Sequence, residues 1–137
     1  MTHDELPRTA QDFVFAFAPN ADSLSMLYGA HMYLVGSALT SETPGDMDVR
    51  IALCGEDWLR LFGHKKPVEE GMIHGPQWWA WLRECLKVSR RMSRRYEFRW
   101  RIDIQFQLDD VLLSHPGPRY QLDTTPEHYL QAGFGEP

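Results

Sequence analysis

The chain has 137 residues, with 14 Lys and Arg against 19 Asp and Glu for a net charge of −5, and 43% of it is hydrophobic. Such values fit one soluble globular domain with a core that needs no staples, and they exclude a protein whose whole surface coats nucleic acid. No apolar run nears the roughly 20 residues that span a bilayer; residues 1–7 carry acids where a signal peptide has a basic lead, so the expected compartment is the cytoplasm. Cys54 and Cys85 are the only cysteines, without C-x-x-C or zinc-finger spacing, and are expected to be two buried thiols.

After a polar start, residues 22–30 suit a short helix capped by Asp22, with Leu24, Leu27 and Tyr28 on one face. The apolar run 32–35 is too short for a helix and ends at Gly36, which predicts a strand. Turn residues fill 40–45, so the chain loops there. Residues 46–54 then alternate: Met47, Val49, Ile51 and Leu53 point one way, Asp46, Asp48 and Arg50 the other. A short amphipathic helix is expected over 56–62 and a polar loop over 64–75.

Pro76 suits the first turn of the longest helix, which runs to about Arg95. Its expected buried stripe is Trp78, Leu82, Cys85, Ser89 and Met92, widened by Trp79, Trp81 and Leu86. Arg83, Lys87, Arg90 and Arg94 form another face. That face is either a solvated surface, a clamp for a triphosphate, or a docking strip for an RNA or DNA acceptor. The tryptophans Trp78, Trp79 and Trp81 suit core better than a base-stacking platform. From Phe98 to Gln107 a strand is expected, with Phe98, Trp100, Ile102, Ile104 and Phe106 inward and Arg99, Arg101, Asp103, Gln105 and Gln107 outward. A short helix is expected after Pro126, and the histidines show no ligand spacing.

Asp46 and Asp48 share one strand face, roughly 7 Å apart, and Asp103 occupies the polar face of a second strand. If the strands are neighbours, three carboxylates converge. Uncompensated acids repel, so such a cluster calls for a hard cation such as Mg²⁺. Arg50 and Arg101 share these faces and can either neutralise the acids or contact phosphate.

Leu34-Val35-Gly36-Ser37, followed after a turn by Asp46-Met47-Asp48-Val49 and later by Ile102-Asp103-Ile104, resembles the signature of the DNA polymerase beta-like nucleotidyltransferase superfamily. The resemblance covers about residues 22–107. It implies an α/β (α+β) fold, a small mixed β-sheet with helices packed mainly on one face, forming one domain over 1–137 with 108–137 as an extension. It further implies transfer of a nucleoside monophosphate from a nucleoside triphosphate to a hydroxyl, with release of pyrophosphate. Asp46 and Asp48 would hold two Mg²⁺ or Mn²⁺ ions, Asp103 would join them at the second ion and help deprotonate the acceptor, and Gly36 and Ser37 would bind nucleotide with Arg50, Arg101 and Lys87. The chain departs from the minimal nucleotidyltransferases of toxin–antitoxin pairs, which carry an Arg soon after Gly-Ser and a Ser before the first acid; here Ala38-Leu39-Thr40-Ser41 and Gly45 stand there. The acceptor is open: a small molecule, a protein or a nucleic acid. The alternative function is a silent protein of this fold that binds a nucleotide or masks a protein partner. A nucleic-acid-binding module using the basic helix is a third.

Overall fold

The computed structural model describes residues 1–63, 76–114, 117–127 and 130, so the expected loop 64–75 and most of the expected helix after Pro126 lie outside the described residues. The element order is α1 (Arg8–Tyr28), β1 (His31–Val35), β2 (Met47–Leu53), α2 (Gly55–Phe62), α3 (Pro76–Arg95), β3 (Ile102–Leu108), α4 (Asp109–Ser114) and β4 (Tyr120–Gln121). The strands form one mixed sheet in the order β3-β2-β1-β4. β2 runs antiparallel to β1 and parallel to β3, with α2 and α3 in the crossover. This is the α/β (α+β) architecture expected.

α1 corrects the short helix expected over 22–30: it spans 21 residues, and Asp22 lies inside it. Pro7 stands at the N-cap without a capping side chain, and Pro19 interrupts the pattern, so the usual start and continuity signals are missing. Tertiary contacts replace both. The Glu42 carboxylate accepts from the Arg8 and Thr9 amides at 3.1 and 3.2 Å, a cap supplied by a distant loop. These bonds hold the Glu42 carboxyl below its ordinary pKa. Phe13, Phe17 and Leu24 are buried, each stabilising by about 1.5–3 kcal/mol, which together outweighs the ~3 kcal/mol of an interior proline. Leu27, by contrast, is half exposed.

The sheet's alternation puts Met32, Leu34, Val49, Ile51, Ile102, Ile104 and Phe106 in the main core, facing α1 and α2. The other face carries Asp48, Arg50, Asp103, Gln105 and Gln107, none fully buried. Among the described residues a small cluster of Tyr33, Ala52 and Leu112 covers part of it.

α3 lies along the outer edge of β3 and closes it with side chains. Ser93 Oγ donates to the Ile102 carbonyl at 3.3 Å and accepts from its amide at 3.1 Å; Ser89 does the same for Ile104 at 3.2 and 2.7 Å. Trp81 Nε1 donates to the Phe106 carbonyl at 2.9 Å. The spacing works because four helical residues rise about 6 Å and two strand residues about 6.7 Å. Cys85, in the same row, is buried, and burial pushes its thiol up to about 12. The buried stripe therefore shifts from the expected one: Val88 and Ser93 join it, while Trp79 and Leu86 are exposed at 49% and 40%. Cys54 is also a correction: at the N-cap of α2 it is exposed.

β3 begins at Ile102, four residues later than expected. Glu97 and Phe98 take left-handed φ values of 54° and 60°, and the Phe98 amide donates to the Ser93 carbonyl at 2.9 Å. Apolar alternation masked this turn. Trp100 is buried against Phe13, but Phe98 is 70% exposed.

The tail closes on β1. Asp123, its side chain fully buried, accepts from the Met32 amide at 2.7 Å, from Ser25 Oγ at 3.2 Å and meets His31 Nδ1 at 2.9 Å; His31 Nε2 meets Glu127 at 2.6 Å. Burial opposes charge on His31, but both carboxylates outweigh it and its pKa rises.

Two outcomes follow from these contacts. Ser89→Ala and Ser93→Ala each leave a buried backbone amide unpaired, so urea unfolding is expected to show about 1–3 kcal/mol lost per substitution; losses near zero would mean that the edge is not held this way. For His31, a raised folded pKa means that its stabilisation is full below the ordinary value of 6.5 and lost as pH rises through the folded pKa. A melting-temperature series should fall across that window in the native protein and flatten in His31→Gln.

Candidate metal centre

Strand register brings the acids together. Asp48 on β2 and Asp103 on β3 are Cα partners in the parallel pair. Neighbouring strands lie about 4.8 Å apart, so two like charges oppose each other directly. Asp46 sits one residue before β2, and the Met47 amide donates to the Arg101 carbonyl at 2.8 Å, which fixes this end of the sheet. Each of the three aspartates offers a carboxylate oxygen, all within 4.8 Å of one another. All three are half-buried.

The environment of the acids is uneven. Burial is the first cause raising the Asp48 pKa, Arg50 opposes it, and Asp103 and Asp46 raise it further. Arg101 Nε lies 3.3 Å from Asp46 Oδ1, but its side chain is 85% exposed, so this pair contributes little to stability. Gln105 Nε2 donates to Asp103 Oδ2 at 3.4 Å. The donor set suits a hard divalent ion: three carboxylates offer oxygens that converge from two neighbouring strands, with open space beside them for further ligands.

Gly36 is positioned by the same sheet. Val35 pairs with Asp48 across β1 and β2, so the residue that follows meets the Asp48 side chain. Gly36 has φ +78°, and a Cβ there would stand 2.8 Å from Asp48 Oδ2. The backbone conformation favours glycine, and any side chain there would push the Asp48 carboxylate aside. It opens a 3-10 turn, Gly36–Leu39, in which Ser37 is exposed and its carbonyl accepts from Thr40 and Ser41 at 3.1 and 2.9 Å.

Besides a cavity of about 340 Å³ that Asp46 lines with Glu42 and Arg101, two others lie near the cluster. One, of about 270 Å³, is lined by Gly36, Arg50, Gln107 and Arg119 among others. The second, of about 670 Å³, includes Asp46, Asp103, Arg90, Phe98 and Arg101. Of the basic residues singled out in the sequence, Arg50 and Arg101 thus border the acids. Lys87 does not: it lines a separate groove with Arg90, Arg91, Arg94 and Arg95, and Arg90 is the residue common to groove and acid cavity. Sequence reasoning missed Arg119, Gln105 and Phe98 as site residues. Gln105 was legible from its polar strand position, whereas nothing in the tail sequence marks Arg119.

No family model, no curated protein and no solved structure matches the chain.

The raised pKa of Asp48 has a direct consequence. Ionising it costs the folded state stability, a cost absent below the unfolded carboxylate range and fully present above the folded pKa. In chelator, Asp48→Asn is therefore expected to melt higher than the native protein at pH 7, with the advantage shrinking as pH falls through that pKa. Gly36→Ala is expected to lose roughly 1–2 kcal/mol through its left-handed backbone and to displace the Asp48 carboxylate, weakening Mn²⁺ binding measured separately by calorimetric titration without chelator.

Proposed function

We propose that the protein is a metal-dependent nucleotidyltransferase that moves a nucleoside monophosphate from a nucleoside triphosphate to a hydroxyl. The observation that carries this reading is the convergence of Asp46, Asp48 and Asp103 from two strand ends, with the Gly36 backbone against one of them. The resemblance to DNA polymerase beta-like nucleotidyltransferases adds support, because the Gly-Ser turn, acid pair and third acid fall on successive strands in that order.

Mg²⁺ or Mn²⁺ held by Asp46, Asp48 and Asp103 would supply the positive charge that a transferring phosphoryl group requires. The remaining roles fall to the chain. Gly36 leaves its backbone open to close approach by a phosphate, and Ser37 adds a hydroxyl and an amide. Arg50 and Arg119 line the cavity on that side and balance triphosphate charge. On the other side, Asp103 accepts the proton of the acceptor hydroxyl. The oxygen of that hydroxyl forms a bond to the α-phosphorus as the bond from phosphorus to the bridging oxygen breaks, and pyrophosphate leaves with the electron pair.

Calorimetry with Mg²⁺ or Mn²⁺ and each nucleoside triphosphate tests this. Binding is expected in the native protein and should weaken at least about tenfold, 1.4 kcal/mol, in Asp46→Ala and Asp48→Ala. Asp103→Asn is expected to retain nucleotide binding but lose pyrophosphate release. Absence of metal-dependent nucleotide binding would sink the reading, and binding without any pyrophosphate release across an acceptor screen would favour a silent, partner-binding protein.

A further inference from the structure

Seven of the chain's 14 Lys and Arg fall between residues 87 and 101: Lys87, Arg90, Arg91, Arg94, Arg95, Arg99 and Arg101. All are exposed, in a protein of net charge −5, and Glu97 is the one acid in that stretch. The five on α3 follow helical spacing and line one groove about 12 Å long. Among the described residues none of these five forms an ion pair; in the rest of the strip Arg101 meets Asp46, and Arg99 lies 4.3 Å from the Trp100 ring. Solvation alone explains scattered cations. It does not explain a continuous strip running into an acid cavity through a shared residue, Arg90.

Phe98 stands where the strip meets that cavity. It is 70% exposed and held at φ 60°, a conformation unfavourable for a bulky side chain, by the hydrogen bond of its amide to Ser93. A ring held out on a strained turn beside cations has the makings of a stacking platform. Cations that track a backbone, an aromatic face and a terminal acid together match one chemistry.

We infer that the acceptor is the terminal 3′-hydroxyl of a single-stranded nucleic acid, whose phosphates lie along Lys87, Arg91, Arg94 and Arg95 and whose last bases stack on Phe98, leaving the hydroxyl beside Asp103. This rests on the transferase reading for the chemistry, but not for the binding. The group transfer is the one written above: the 3′-oxygen bonds to the α-phosphorus, pyrophosphate departs and Asp103 takes the proton.

Binding is measured by fluorescence anisotropy in chelator, without nucleotide, using 5′-labelled single-stranded RNA and DNA of about 16 nucleotides. Affinity for either strand is expected to fall steeply with salt, and Lys87→Gln/Arg91→Gln/Arg94→Gln should flatten the log–log salt slope by about 2. Phe98→Gly suits the left-handed backbone and so should keep the fold; it is expected to weaken binding roughly 5- to 150-fold with the slope unchanged. No binding, equal binding of duplex, an effectless Phe98→Gly, or binding of anionic vesicles in place of oligonucleotides would each overturn the inference. With Mn²⁺ and nucleoside triphosphates added, the strand should lengthen only when its 3′-hydroxyl is present. Nucleotide binding without lengthening overturns this acceptor alone, whereas strand binding without nucleotide binding overturns the transferase reading and leaves the strip standing.

Discussion

The hydroxyls of Ser89 and Ser93 hold the outer edge of β3, and the rest of the molecule depends on that seam. Each hydroxyl both donates to and accepts from one strand residue, so the strand cannot slide along the helix without breaking four bonds at once. A slip of one residue would turn Ile102, Ile104 and Phe106 out of the core and drive Asp103 into it. The seam therefore fixes which residue of β3 faces Asp48. The acid cluster is a product of helix–strand matching as much as of the aspartates themselves.

A second constraint reaches the site from the opposite side. The loop between β1 and β2 is tied to α1 through Glu42, which caps the first turn of that helix, and Thr9 Oγ1 donates to the Glu42 carbonyl at 2.7 Å. Asp46 lies four residues further on. One end of the loop starts at Gly36, pressed on Asp48; the other ends at Asp46; its middle is anchored. The like charges of the cluster are thus held together by contacts that lie outside it, which is how a site can carry unfavourable electrostatics in its resting form.

The sheet was largely legible from sequence because its two long strands alternate cleanly and their faces differ in polarity. Register, and with it the meeting of Asp48 and Asp103, required only that the strands be neighbours. What could not be read were features set by distant partners. α1 has no local cap and contains Pro19, so its full length emerges only from burial of Phe13 and Phe17 and from Glu42. Phe98 continued an apolar alternation, yet left-handed backbone at Glu97 and Phe98 turns it outward. Ser89 looked like an ordinary member of a buried helix stripe and Ser93 did not enter that stripe at all, because their partners are backbone atoms of a strand that follows. Cys54 sits at a helix start, where exposure depends on what packs beside it, and the tail's Arg119 reaches the Gly36 cavity by a fold-back that no local pattern records.

The closure of β3 also bears on how the protein behaves when crowded. A sheet invites unwanted company at its rims, where unpaired amides and carbonyls can template the strand of another molecule. Here one rim is occupied by the serine row of α3. The other, β4, is only two residues long. Neither offers the long, flat, hydrogen-bond-hungry border from which intermolecular sheets grow. Removing the serine hydroxyls would thus do more than loosen the fold: it would leave the outer amides and carbonyls of Ile102 and Ile104 unpaired, the kind of border on which another strand can add.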